Sequence, residues 1–157
     1  MRAGLFTAGA LAAALFAGGA NATPIPDGGL TRAEVASWLQ GQGYASEPVA
    51  DKDGTQHLLF MYQAAKVGVY MYDCSGDRCG SLQFSVGWAT HGKFDISQMN
   101  RWNRDKRWCR GYFDDVNDPW VERDVDLTPG GSYEMLKDEL FDVFKNCIIN
   151  FKAMYNP

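Results

Sequence analysis

The sequence predicts an α+β fold, an antiparallel sheet with helices packed on it. Three observations carry that reading. Apolar segments with period-two alternation follow one another across short polar connections at Gln56–Tyr62, Lys66–Asp73 and Ser81–Trp88. Two more such segments flank the turn-forming run Asp114-Asp115-Val116-Asn117-Asp118. The last quarter of the chain switches to helical periodicity, with Leu136, Leu140, Val143, Phe144, Cys147, Ile148, Phe151 and Tyr155 at three- and four-residue steps.

Taken in order, the chain opens with a segment that belongs to export rather than to the fold. Arg2 is a short positive head, Ala3 to Ala17 is an Ala/Leu/Phe/Gly run, and Ala20-Asn21-Ala22 offers a small-x-small cleavage site. Residues 1–22 therefore read as a signal peptide cut before Thr23, which predicts a periplasmic or secreted protein. An uncleaved anchor fits less well, because the apolar run is short and Gly-rich, so no membrane span is expected after cleavage. Residues 23–29, with two prolines and two glycines, read as a leader without regular structure, and residues 30–156 as a single domain.

Thr31 and Glu34 have capping-box spacing, with Leu30 and Val35 placed as a hydrophobic staple, so a helix starts here and buries Val35, Trp38 and Leu39. Glu47–Asp51 is a weak strand, and Asp51-Lys52-Asp53-Gly54 is a turn. In the third strong strand Leu82, Phe84, Val86 and Trp88 face one way and Gln83, Ser85 and Gly87 the other. The sheet should thus have one covered face and one partly wet face. Asp95 and Gln98 cap a second helix, whose apolar side is Ile96, Met99 and Trp102. Strand resumes over Arg107–Asp114 and again over Trp120–Leu127, where Val121, Val125 and Leu127 alternate with Glu122, Asp124 and Asp126. That acidic row is a cross-strand neighbour for the preceding arginines, in a register the sequence leaves open. Ser132 caps the final helix. Leaving the weak strand aside, the order is α-β-β-β-α-β-β-α.

Four cysteines in an exported chain read as two disulfides. Cys74 and Cys79 flank the polar turn Ser75-Gly76-Asp77-Arg78, where a bridge closes a hairpin mouth. Zinc is the alternative, but no second pair of ligands stands at the required spacing, so no metal and no cofactor are expected. Cys109 and Cys147 then remain, either for each other or as buried thiols.

Charge and motifs narrow the function. The chain holds 19 acidic and 15 basic side chains, a net charge of −4, and cleavage of the signal peptide would remove one base, Arg2, which argues against nucleic acid as a partner. There is no Gly-x-Ser-x-Gly elbow, and His57 and His91, the two histidines, have no triad order around them. Asp51-x-Asp53-Gly54 and the Asp114–Asp118 cluster lack the distal glutamate of a calcium loop, so turn chemistry accounts for both. Glu122 and Asp124 read as a solvated face rather than an acid–base pair. No catalytic residue is assigned. The segment Asn100 to Arg110 is the one candidate binding surface, with Asn100, Asn103 and Arg107 to read polar groups and Trp102 and Trp108 for flat contact area. Its structural alternative has the amides bonding backbone at a helix-to-strand join and the indoles filling the core.

Asn100-x-Trp102-Asn103-x3-Arg107, followed by Tyr112-x-Asp114, resembles the motif of the YbjN-domain proteins. Cys79-Gly80-Ser81-Leu82-Gln83-Phe84, Asp124-Val125 and Gly130-Gly131-Ser132 fall where that family has similar patches, so the resemblance runs from about Leu30 to Tyr155. It adds Asp114 to the candidate binding residues. It implies a fold similar to type III secretion chaperones, a loosely described role in sensory transduction or stress regulation, and no established catalysis. Chaperones of that fold class pair as dimers and bind partner segments, which implies a protein partner in the cell envelope, or a second copy of the chain. The Cys109/Cys147 pair is not a feature of the family at large. The leading expectation is a non-enzymatic interaction or regulatory module. The competing one is a small-ligand binder or enzyme built on Asn100, Asn103 and Arg107.

Overall fold

A computed structural model describes residues 22–156. The predicted signal peptide, apart from Ala22, lies outside the described residues. The element order is β1 (Leu30–Thr31), α1 (Arg32–Gly41), β2 (Ser46–Ala50), β3 (Gln56–Tyr62), β4 (Ala65–Ser75), β5 (Arg78–Gly87), α2 (Ile96–Asp105), β6 (Arg110–Phe113), β7 (Pro119–Asp126), α3 (Tyr133–Asp138), a π-helical turn (Glu139–Phe144) and α4 (Lys145–Tyr155). The strands form one antiparallel seven-stranded sheet in the order β2-β3-β4-β5-β7-β6, with β1 added beside β5. The α+β class is as predicted. The strand count is larger by two, because Leu30–Thr31 pairs with Cys79 and Arg78 as a short strand and because the weak segment is a true edge strand: Ser46 to Ala50 pair in register with Phe60 to Gln56. Its polar residues and Pro48 give poor strand propensity, and the exposed edge of β3 supplies the bonds that overcome it.

Helices cover one face only. The inward residues Leu58, Phe60, Val67, Val69, Leu82, Phe84, Val86, Val121 and Val125 are buried against Leu39 of α1, Trp102 of α2 and Leu136, Leu140, Phe144, Ile148 and Phe151 of the C-terminal helices. Trp102 packs edge-on to Phe151, and Trp88 stacks on the same ring. Burial of aromatic and aliphatic side chains at about 1.5–3 kcal/mol each is the main force holding the helices to the sheet. The π turn has a geometric reason. Leu136, Leu140, Phe144 and Ile148 step by four, which drifts about 40° per step in a helix of about 3.6 residues per turn, and the wider turn takes up that drift.

Both capping boxes form. Thr31 Oγ1 accepts from the Glu34 amide while Glu34 accepts from the Thr31 amide, and Asp95 and Gln98 do the same for α2. Glu34 also receives both terminal nitrogens of Arg78, whose guanidinium bonds the Gly29 carbonyl, so the start of α1 is tied to the β4–β5 hairpin. Cys74 and Cys79, directly opposed in register, are disulfide-bonded, and so are Cys109 and Cys147. The second bridge fastens α4 to the entry of β6.

The leader 23–29 forms no helix or strand but is tied down: Pro24 bridges to Ser132, the Ile25 amide donates to the Gly131 carbonyl, and Ile25 is buried. Two further expectations need correction. β6 begins at Arg110 rather than Arg107, because Trp108 sits at φ 80°, a left-handed conformation that breaks a strand. The second sheet face is drier than alternation implied, since Gln83 and Ser85 are buried under long neighbours.

Candidate functional site

The helix-free face of the sheet is small-floored and polar-walled. Gly68, Ser85 and Gly87 occupy its centre on β4 and β5, and the Trp120 indole lies flat over Gly87, where a Cβ would come within 2.6 Å of the ring. Tyr112 stacks on the far side of Trp120, with centroids 6.5 Å apart and planes at 15°. Across the floor, Tyr70 stacks on His57 at 4.4 Å. Between the two aromatic pairs lies a concavity of about 370 Å³, into which Asp51, Tyr72, Asp114 and Glu122 also project.

Glu122 is its centre. It belongs to the acidic row of β7 that alternation reads as solvated, yet it is only 5% exposed. Register explains this, because Glu122 lies between Ser85 on β5 and Arg110 on β6. Arg110 donates from Nε and Nη2 to Glu122 Oε2 at 2.9 and 2.6 Å. Oε1 accepts from the Tyr112 hydroxyl at 2.9 Å and from Ser85 Oγ at 3.3 Å. Both oxygens are thus held by charge-assisted or hydroxyl bonds in a low-dielectric setting. Burial, and then the bond to Glu122, push the Tyr112 hydroxyl well above its ordinary range. Tyr70 is pushed up to about 12 by burial, reinforced by the charge of Asp51. Tyr72 is raised by burial and then by Glu122 and Asp124. Burial alone would raise Asp114, but bonds from Trp120 Nε1 and from the amides of Asp118 and Val116 outweigh it and hold its carboxyl below the usual range.

The predicted binding residues do not converge. Asn103 is spent on structure: its Nδ2 donates to the Gly111 carbonyl at 2.9 Å and its Oδ1 accepts from the Gly111 amide at 2.8 Å. Those are the two groups of β6 that point off the free edge of the sheet, so the side-chain amide stands in for a missing strand. Asn100 is exposed on α2. Trp102 is fully buried beneath a groove of about 520 Å³ that runs between the α2–β6 connection and α4, and Arg107 lines its mouth, 4.8 Å from the exposed Trp108 ring. Asp114 lies on the opposite side of the sheet, in the concavity. The residues that sequence reasoning passed over are Glu122, Tyr112, Trp120, Tyr70 and Ser85. Alternation assigns them a face, but nothing local shows that β6 and β7 bring them together.

Both acidic turns are engaged in turn bonds: the Thr55 amide donates to Asp53, and the Val116 and Asp118 amides donate to Asp114. Asp118 in turn accepts from the amides of Thr90 and His91 in the β5–α2 connection. Among the described residues no three His, Cys, Asp or Glu side chains are grouped to hold a metal ion, and no helix is long and apolar enough to cross a membrane. The YbjN family model, whose description reads "Putative bacterial sensory transduction regulator", matches residues 31–155. A search of curated proteins finds no match.

Proposed function

The chain belongs to the YbjN family, and on that footing we propose that it is a non-enzymatic interaction or regulatory module of the cell envelope, periplasmic or secreted, that grips a protein partner with the helix-free face of its sheet. The family's regulatory description supports the general class. The Glu122 network carries the rest. A buried carboxylate saturated by Arg110, Tyr112 and Ser85 is fixed in one geometry and has no lone pair left for proton transfer. It makes a preorganised floor around which the exposed edges of Tyr72 and Tyr112 supply contact area, and such preorganisation lowers the cost of association. The signal-peptide-like composition of residues 1–22 supports the compartment, and two cystines suit an oxidising one. The ligand-binder reading built on Asn100, Asn103 and Arg107 is weakened by the commitment of the Asn103 amide to Gly111.

A photo-crosslinking residue at Tyr72, which is 47% exposed on this face, tests the reading against the same residue at Met154 on α4, 40% exposed. Expression in the native host should give discrete protein adducts from position 72 and not from 154. Equal adduct patterns at the two positions, or none at 72, would refute it.

A further inference from the structure

We infer that the concavity on the helix-free face receives a basic side chain, lysine or arginine, from the bound partner segment. The inference rests on the reading of that face as the binding surface and adds the chemistry of what it holds.

The charge balance of the face is the first reason. Glu122 is compensated by Arg110. Asp114 is bonded by the Trp120 indole and two backbone amides, and Asp124 by the Gln83 side-chain amide at 2.7 Å. Asp51 has the His57 imidazole beside it, with Nδ1 at 3.3 Å from Oδ2. Two carboxylates held by neutral donors keep their full charge, and low-dielectric walls focus it into the cleft. The hydroxyls of Tyr70 and Tyr72 on the same face are raised first by burial and only then by the neighbouring carboxylates.

Aromatic surface is the second reason. The rings of Tyr70, Tyr72, Tyr112 and Trp120 surround the floor, and an aromatic face beside a carboxylate is the setting in which a guanidinium or ammonium is held by both charge and π-density. The chain itself supplies an example, since the Arg110 guanidinium is bonded to Glu122 and lies 5.9 Å from the Tyr112 ring centroid. A third observation is independent of charge. His57 is 5% exposed, and its Nδ1 has no hydrogen-bond partner, because the nearby Asp51 oxygen lies at an unsuitable angle. That unbonded atom lies in a residue packed against Asp51 and Tyr70, two of the side chains that line the cleft.

The test uses the purified protein and three probes followed by Trp fluorescence: the peptide acetyl-Gly-Thr-Lys-Thr-Gly-amide, its Lys→Gln counterpart, and n-butylammonium. The lysine peptide should bind about tenfold more tightly than the glutamine peptide, as loss of one or two charge contacts in a half-buried cleft implies, and Asp51→Asn with Asp124→Asn should erase the difference. Both substitutions are isosteric at exposed or half-exposed positions, and an unchanged far-UV spectrum and melting temperature show that they leave the fold intact. Equal binding of the two peptides, no saturable binding by either, or persistence of the preference in the double variant would overturn the inference. So would butylammonium binding as tightly as the lysine peptide, since the occupant would then be a free amine. Crosslinks from position 72 without a preference for basic peptides would defeat this inference alone; loss of the crosslinks would defeat the reading beneath it.

Discussion

Replacing Asn103 by alanine separates a structural amide from a recognition amide. In the wild type the side chain makes two hydrogen bonds to Gly111, at 2.9 and 2.8 Å, and Gly111 is buried at the free edge of β6. Each bond contributes about 1 kcal/mol net, and leaving the backbone groups unpaired adds up to ~1–3 kcal/mol where water is excluded. Asn103 itself is exposed, so water reaches the freed backbone groups and that added penalty largely falls away. The expected loss is about 2 kcal/mol, or about 7 °C in Tm at the ~2.1 cal/mol/K per residue typical of unfolding entropy. Urea unfolding followed by tryptophan fluorescence should show a lower midpoint with an unchanged slope. Asn100→Ala, at an exposed position one turn earlier, should stay within ~0.5 kcal/mol of wild type. If Asn103→Ala matched Asn100→Ala, the reasoning that ties α2 to the β6 edge would be wrong.

Three other outcomes are expected. Arg110→Ala strands the Glu122 carboxylate and should cost about 2 kcal/mol, between an exposed pair and a buried one, whereas Glu122→Gln keeps most of the hydrogen bonds and should cost less; chemical denaturation of both, with the double variant to measure their coupling, checks the order. Removing the Cys109–Cys147 bridge, with a sequence separation of 38, should cost ~4 kcal/mol on loop entropy, against ~2 kcal/mol for the Cys74–Cys79 bridge with a separation of 5, so C109S/C147S should melt well below C74S/C79S. Glu34 is held below its ordinary 4.5 by the Thr31 amide and then by Arg78, so its contribution is present above that value and is lost as pH falls through the depressed one. Glu34→Gln should therefore be less stable than wild type at neutral pH and lose less stability on acidification, measured by melting temperature from pH 7 to pH 3.

What could be read from the chain divides along the range of the interactions involved. The starts of α1 and α2 were legible because a capping box is a three-residue event, complete within Thr31–Glu34 and Asp95–Gln98. The start of β3 was legible because Asp51-Lys52-Asp53-Gly54 marks a turn before Gln56, whereas the turn after Tyr62 is made by Gln63 and Ala64 at φ 45° and 64°, residues with no turn preference. The family was legible in the order of its short motifs, and the match over residues 31–155 agrees. The burial of Glu122 was not legible: it depends on which residues of β5 and β6 lie opposite, and a one-residue slip would place Glu122 beside other partners. The late start of β6 was hidden for a related reason, since a tryptophan at φ 80° is held there by surroundings and not by propensity. The candidate site suffers most from this. Its members come from β4, β5, β6, β7 and two turns, so no window of the sequence contains it.

The bond between Cys109 and Cys147 makes the stretch from β6 through the start of α4 a covalent ring. The ring includes the exposed Asp115-Val116-Asn117 loop tip, the kind of site where proteases cut. A cut there opens the ring without dividing the molecule: the two pieces still share the cystine, the β6–β7 pairing and the core, and would run as one species until reduced. The second cysteine pair therefore makes the part of the molecule that carries Glu122, Arg110 and Tyr112 tolerant of a nick.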